Sequence, residues 1–175
     1  LGINNLSSIL DNLNYKYINK IIYTSSSSIY GSINEHNYSD DINNRQLYSS
    51  TKLLNEITLN NYCQKKKIQL IITRLFNMYG PNENFSIIYK LIKNIKSKKK
   101  ITVYNHGNSI RDFIHVNDVC KIYVKLLNTK ESNIYDIGSG YGTKIRDIIS
   151  FLKIPKKKLI FNKKKITEID ISVAN

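Results

Sequence analysis

Residues Ile68 to Leu75, Ile-Gln-Leu-Ile-Ile-Thr-Arg-Leu, form a near-continuous apolar run, the mark of a strand buried on both faces. A second β-rich run, Ile21 to Thr24, stops abruptly in four serines, Ser25 to Ser28. Between the two, Gln46 to about Lys65 reads as a long helix carrying Leu47, Leu53, Leu54, Ile57 and Leu59. Apolar residues at Ile3, Leu6, Ile9, Leu10 and Leu13 give the opening segment a helical period as well. Helix, strand, helix, strand at these lengths predicts an α/β fold built on a parallel sheet.

Open parallel sheets bind ligands at the carboxyl ends of their strands, which is where the serines fall. The helix beyond them carries Tyr48 and, one turn on, Lys52. Residues at i and i+4 share a helix face, so phenol and ammonium can point to one place. A phenol is a poor base at neutral pH, and a nearby cation favours its phenolate. A strand-end hydroxyl can hold a substrate oxygen in line with that base. Tyr-x-x-x-Lys alone is weak evidence. With 13 tyrosines and 23 lysines in 175 residues, chance yields about two such pairs. Tyr62/Lys66 and Tyr89/Lys93 also match, but only Tyr48/Lys52 follows a strand ending in serines.

The net charge of +14 would ordinarily suggest nucleic acid. Lysine supplies 23 of the 27 basic residues, however, and 30 isoleucines and 23 asparagines are equally inflated, the signature of an A/T-biased genome. The lysines fall in runs at expected helix ends and loops (65–67, 98–100, 156–158, 163–165), read as solvated, with no interleaved aromatic platform. No nucleic-acid partner is expected. Cys63 and Cys120 match no metal or redox spacing, so no metal is expected and a reducing, cytoplasmic setting fits best. No apolar run reaches the ~18 residues of a membrane span, and no membrane partner is expected.

Further along, Gly31 to Gln46 reads as a polar loop, Phe85 to about Lys96 as a helix, and Ile101 to Tyr104 as a strand before a turn at Asn105 to Gly107. Asn117 or Asp118 is expected to cap a helix ending near Leu127, and Thr143 one ending near Leu152. Ile134 to Ile137 and Leu159 to Phe161 are further short strands. Gly138-Ser-Gly140-Tyr-Gly142 has the spacing of neither a dinucleotide fingerprint nor a P-loop. A glycine-rich turn that would take a pyrophosphate is missing.

The blocks Ser25-Ser-Ser-Ser-Ile-Tyr-Gly31, Tyr48-x-x-x-Lys52, Thr73-Arg-Leu-Phe-Asn-Met-Tyr-Gly-Pro81, Arg111-Asp-Phe-Ile-His-Val-Asn-Asp118 and Ile134-Tyr-Asp-Ile-Gly138 together resemble the extended short-chain dehydrogenase/reductase family. The likeness is to its NAD-dependent nucleotide-sugar epimerases and dehydratases, and the blocks come in that family's order. The resemblance implies residues 1–80 as the C-terminal half of an NAD-binding Rossmann domain and 81–175 as an incomplete nucleotide-sugar-binding domain, cut short at both ends. It implies Ser26, Tyr48 and Lys52 as catalytic residues, and Ser25, Tyr48, Lys52 and Leu75 as NAD contacts. Ser26, Phe76, Asn77 and Arg111 would bind the substrate; Leu75 and Phe76 would border nicotinamide and sugar, and Asn77 the phosphates.

Arg111, one of four arginines, suits a diphosphate by its planar fork; the alternative is an ion pair with Asp112 or Asp118. His115 is expected to be structural. The family's 4,6-dehydratases carry carboxylates just after the serine position, where this chain has Ser27 and Ser28. That argues for a 4-epimerase resembling those acting on UDP-glucose or UDP-glucuronate. A 4,6-dehydratase or 4-reductase, or an inactive binding module, are the alternatives. Family members commonly form homodimers through a helix bundle that would include the helix at 46–65.

Overall fold

The computed structural model describes residues 3–31, 44–97, 99–163 and 170–174. The chain divides into two compact units, one of Leu1–Leu75 with Tyr123–Asp136, the other of Phe76–Ile122 with Ile137–Asn175. The first unit is therefore not contiguous in sequence, because residues 123–136 return to it.

In the first unit, helix α1 (Ile3–Asn12) leads through a 3-10 turn at Tyr15–Tyr17 into strand β1 (Lys20–Ser26). A one-turn helix α2 (Ser28–Gly31) follows; most of the expected polar loop lies outside the described residues. The long helix α3 (Asn44–Lys66) leads to β2 (Gln69–Leu75). β1 and β2 run parallel from Lys20↔Gln69 to Ser26↔Leu75, and β6 (Asn133–Ile137) completes the order β1-β2-β6. The expected parallel α/β layer is present. Leu10, Leu59, Cys63, Ile68, Leu70 and Ile72 form its core.

The packed face of α3 leaves most of its large apolar residues outside. Ser49, Glu56, Leu59 and Cys63 are buried, whereas Leu47, Leu54 and Ile57 are 56%, 42% and 49% exposed. Leu59 apart, the helix turns polar and small side chains inward and keeps its other leucines outside. The reason is local: Ser49 Oγ donates to the Ser28 carbonyl (3.1 Å), and Glu56 pairs with Arg74 of β2.

In the second unit, β3 (Asn77–Tyr79) pairs parallel with β5 (Ile110–His115). On β5, β7 (Gly142–Lys144) lies antiparallel and β9 (Ile171–Ser172) parallel. β4 (Ile101–Val103) and β8 (Leu159–Phe161) make a separate parallel pair. Helices α4 (Ile87–Lys96) and α6 (Ile145–Phe151) close over a core of Leu91, Ile101, Val103, Ile149 and Ile154. Strands β3, β5, β7 and β9 were not foreseen.

Two expected caps are corrected. Helix α5 (Val116–Leu127) already includes Asn117 and Asp118, and its first turn is capped from outside by His115, whose Nδ1 accepts the Asn117 N–H at 3.2 Å. Thr143 lies in β7, and Lys144 precedes α6 with no side-chain cap.

Candidate active site

In the first unit the strand-end serines, α3 and the end of β2 converge. Ser26 stands opposite Leu75 in the parallel register, and the adjacent Ser27 N–H donates to the Leu75 carbonyl at 3.1 Å. Ser26 Oγ accepts the Ser28 N–H (3.2 Å), a serine turn that ends the strand and starts α2. Ser25 is 3% exposed, and its hydroxyl has no hydrogen-bond partner among the described residues. A buried hydroxyl without a partner is costly, and a ligand's polar group at this strand end would relieve that cost.

The second wall is α3. Lys52 Nζ donates to the Thr24 carbonyl at 2.8 Å and lies 5.1 Å from the centre of the Tyr23 ring and 5.8 Å from that of Tyr48. Tyr48 is half exposed. Burial pushes the Lys52 ammonium below the ordinary lysine value, with Glu56 one turn on opposing the shift. Tyr23 is pushed up by burial, against the hydrogen bond that Asn55 donates to its hydroxyl at 3.1 Å. Lys52 is thus a partly desolvated cation close to two phenol rings.

A network beneath this site escaped the sequence reading. Arg74 grips Glu56 through two bonds (Nε to Oε1 3.2 Å, Nη2 to Oε2 2.8 Å) and donates from Nη1 to the Tyr30 hydroxyl at 2.9 Å. Tyr30 in turn donates to Asp136 at 2.7 Å. It joins α2, α3, β2 and β6. The scarcity of arginine and the Tyr30-Gly31 pair were the only signals for it. On the other side of β1, Tyr123 of α5 shares hydrogen bonds with Thr24 (2.7 Å) and buried Thr73 (2.6 Å).

In the second unit, buried Phe76 is followed by Asn77, whose Nδ2 donates to the Asp112 carbonyl at 3.0 Å. Arg111 Nη1 donates to the Ile110 carbonyl (2.8 Å) and the Asp170 carbonyl (3.3 Å). The carboxylates weighed as its partners have other donors: Asp118 pairs with Lys121 at 2.9 Å, and Asp112 accepts from Ser139, Gly140 and Ala174. His115 packs edge-on against Tyr79, 5.2 Å between ring centres, and caps α5, so its structural reading holds. The Gly138–Gly142 turn is filled by the Asp112 carboxylate and is not open to a phosphate. No cluster of three or more His, Cys, Asp or Glu suited to a metal occurs among the described residues.

The first unit thus joins a parallel sheet whose strand ends in serines to a helix bearing Tyr and Lys one turn apart. The chain belongs to the NAD dependent epimerase/dehydratase family, whose sequence profile matches residues 3–138. It is 34% identical over 153 residues to an uncharacterized protein of Methanocaldococcus jannaschii, covering 82% of this chain and 47% of the relative. It is 31% identical to the dTDP-D-glucose 4,6-dehydratase of Dictyostelium discoideum, covering 82% of this chain and 35% of that protein. The UDP-glucuronic acid 4-epimerase of Bacillus cereus, solved with a UDP-linked fluoro-sugar and NAD, superposes with a TM-score of 0.79 at 28% identity; the match covers 99% of this chain and 58% of the epimerase. The chain spans half or less of the length of these curated relatives.

Proposed function

We propose that this chain carries the catalytic residues of an NAD-dependent 4-epimerase of nucleotide sugars, resembling those acting on UDP-glucuronate or UDP-glucose. The observation that carries the reading is Lys52, anchored on the Thr24 carbonyl between the Tyr23 and Tyr48 rings, on the helix facing the strand that ends at Ser26. Tyr48 takes the proton of the sugar C4 hydroxyl, Lys52 favours the phenolate, and Ser26 orients that hydroxyl. When bound, NAD supplies the acceptor and then the donor of the C4 hydride. The Ser25 hydroxyl, without a partner among the described residues, would with Tyr48, Lys52 and Leu75 hold the nicotinamide end of that cofactor. The 4-keto sugar turns over and is reduced on its other face, and Tyr48 returns the proton.

In this reading the first unit, residues 1–75 with 123–136, contributes to the NAD-binding domain and the second to the nucleotide-sugar domain, where Phe76 borders the sugar and Asn77 and Arg111 take the diphosphate. Epimerisation is favoured over dehydration because Ser27 and Ser28 follow Ser26, and the described carboxylates nearby, Glu56 and Asp136, are engaged by Arg74 and Tyr30. Water elimination needs acid–base groups beyond the triad. The exposed Leu47, Leu54 and Ile57 of α3 support a homodimer packed through that helix. No helix among the described residues is long and apolar enough to cross a membrane, and cytoplasmic polysaccharide-precursor metabolism is the setting we infer.

The 31% identity to a 4,6-dehydratase favours dehydration as the second reading. Incubating the full-length protein with UDP-glucuronate or UDP-glucose and NAD, with product analysis by NMR, separates them. The C4 epimer is the expected product. A 4-keto-6-deoxy sugar from UDP-glucose would replace epimerisation by dehydration.

A further inference from the structure

Asp112 is a fully buried carboxylate that the proposed chemistry does not use. Its Oδ1 accepts the N–H and hydroxyl of Ser139 at 2.7 and 2.6 Å, and its Oδ2 accepts the N–H groups of Gly140 and Ala174 at 2.9 and 3.2 Å. The glycines of the turn serve this contact. A Cβ on Gly138 would stand 2.3 Å from Asp112 Oδ2, and Gly140 has φ +78°. Successive backbone N–H groups in such a turn make a concave anion site. Here the anion comes from the chain itself.

The carboxylate reaches across β5 to both of its neighbours. Asp112 lies opposite Gly142 on β7, while Ala174 follows β9 by two residues. The preceding residue, Arg111, lies between Thr143 of β7 and Ser172 of β9, and its guanidinium rests on the carbonyl of Asp170 just before β9. The Asp112 carbonyl holds the Asn77 amide. Burying a carboxylate is costly unless every lone pair is engaged, and a fully engaged one rigidifies what it touches.

We propose that Asp112 is a positioning residue for nucleotide-sugar binding, a built-in anion that fixes the Gly138–Gly142 turn and the segment 170–174 and so sets Arg111 and Asn77. The proposal rests on the reading that those two residues take the diphosphate.

The test uses the full-length protein with UDP-glucuronate as probe, following KM, kcat and melting temperature for Asp112→Ala with and without formate. Asp112→Ala should raise KM roughly tenfold with kcat nearly unchanged and lower the melting temperature. Formate, which matches the lost carboxylate, should restore KM and melting temperature together. A lowered melting temperature with wild-type KM, or formate rescue of melting alone, would overturn the positioning role. If Asp112→Ala fails to fold, Ser139→Ala removes a single hydroxyl donor and should raise KM about threefold; an unchanged KM would overturn the proposal equally. Arg111→Ala separates the two levels. Unchanged KM there removes the diphosphate reading and this proposal with it, whereas unchanged KM in the Asp112 and Ser139 variants alone removes only the proposal.

Discussion

Glu56 and Arg74 show at the scale of single residues what the strand-end site rests on. Their side chains are only 5% and 18% exposed, and both guanidinium bonds to the carboxylate are made. Its hydrogen bonds to Glu56 raise the Arg74 pKa above its already high ordinary value, so the guanidinium stays charged. Removing one partner strands the other charge in a desolvated place. Arg74→Met should therefore cost about 3–5 kcal/mol, and the double variant with Glu56→Leu should regain most of that. Urea unfolding of the two variants checks this; equal losses would mean that the pair is not the source. The placement of Ser26 at a strand end and of Tyr48 and Lys52 one helical turn apart was legible because those spacings are local. The Arg74 network was not, because its partners lie 18, 44 and 106 residues apart in sequence. The Gly138–Gly142 turn has the spacing of neither phosphate-binding motif, and the carboxylate that fills it sits 27 residues upstream on another strand, beyond any local signal.

At the scale of elements, every described helix and strand longer than five residues except β5 lies within a few residues of its expected bounds, since an amphipathic or apolar period needs length to declare itself. β3, β7 and β9, of two or three residues, have none to show. β5 is six residues, but Arg111, Asp112 and His115 break its pattern with side chains spent on bonds. The lysine runs, expected to be solvated, are only partly so. Lys156 and Lys157 are exposed, whereas Lys158 Nζ caps the end of α4 by donating to the Asn94 (3.2 Å), Ile95 and Ser97 (2.9 Å) carbonyls. Lys20 does the same for α5 through Leu126, Leu127 and Thr129. Cations suit helix C-termini, where carbonyls are unpaired.

The start of α4 supplies a pH dependence. Slight burial pushes the Glu83 carboxyl up, but the Ser86 hydroxyl, the Ser86 and Phe85 N–H groups and nearby Lys90 outweigh it and hold it below the ordinary value. A carboxyl lowered on folding stabilises the folded state above its unfolded pKa of about 4.3, and that stability is lost as pH falls through the lowered folded value. Glu83→Gln should lower the melting temperature at pH 7 and flatten its decline below about pH 4. An unchanged melting profile would assign the start of α4 to the Ser86 cap alone, whose hydroxyl accepts the Tyr89 N–H at 3.0 Å.

At the scale of the whole molecule, the α/β class follows from four elements in the first 75 residues, and family membership from blocks of sequence in order. The division into units was harder to see. Residues 123–136 leave the second half of the chain to pack with the first, and no composition shift marks their return. The charge of +14 misleads if read alone, because lysines that cap helices and lysines in solvent count equally. The account stands or falls on the joint action of Ser26, Tyr48 and Lys52 in the first unit. Its most direct test compares Tyr48→Phe with the parent in the full-length protein, following C4 epimerisation of UDP-glucuronate and, by calorimetry, binding of the same sugar nucleotide. Loss of turnover by at least about a thousandfold with affinity kept within a few-fold is the predicted result. Undiminished turnover in the Phe variant would contradict the assignment of Tyr48 as the base and, with it, the catalytic reading of this strand end.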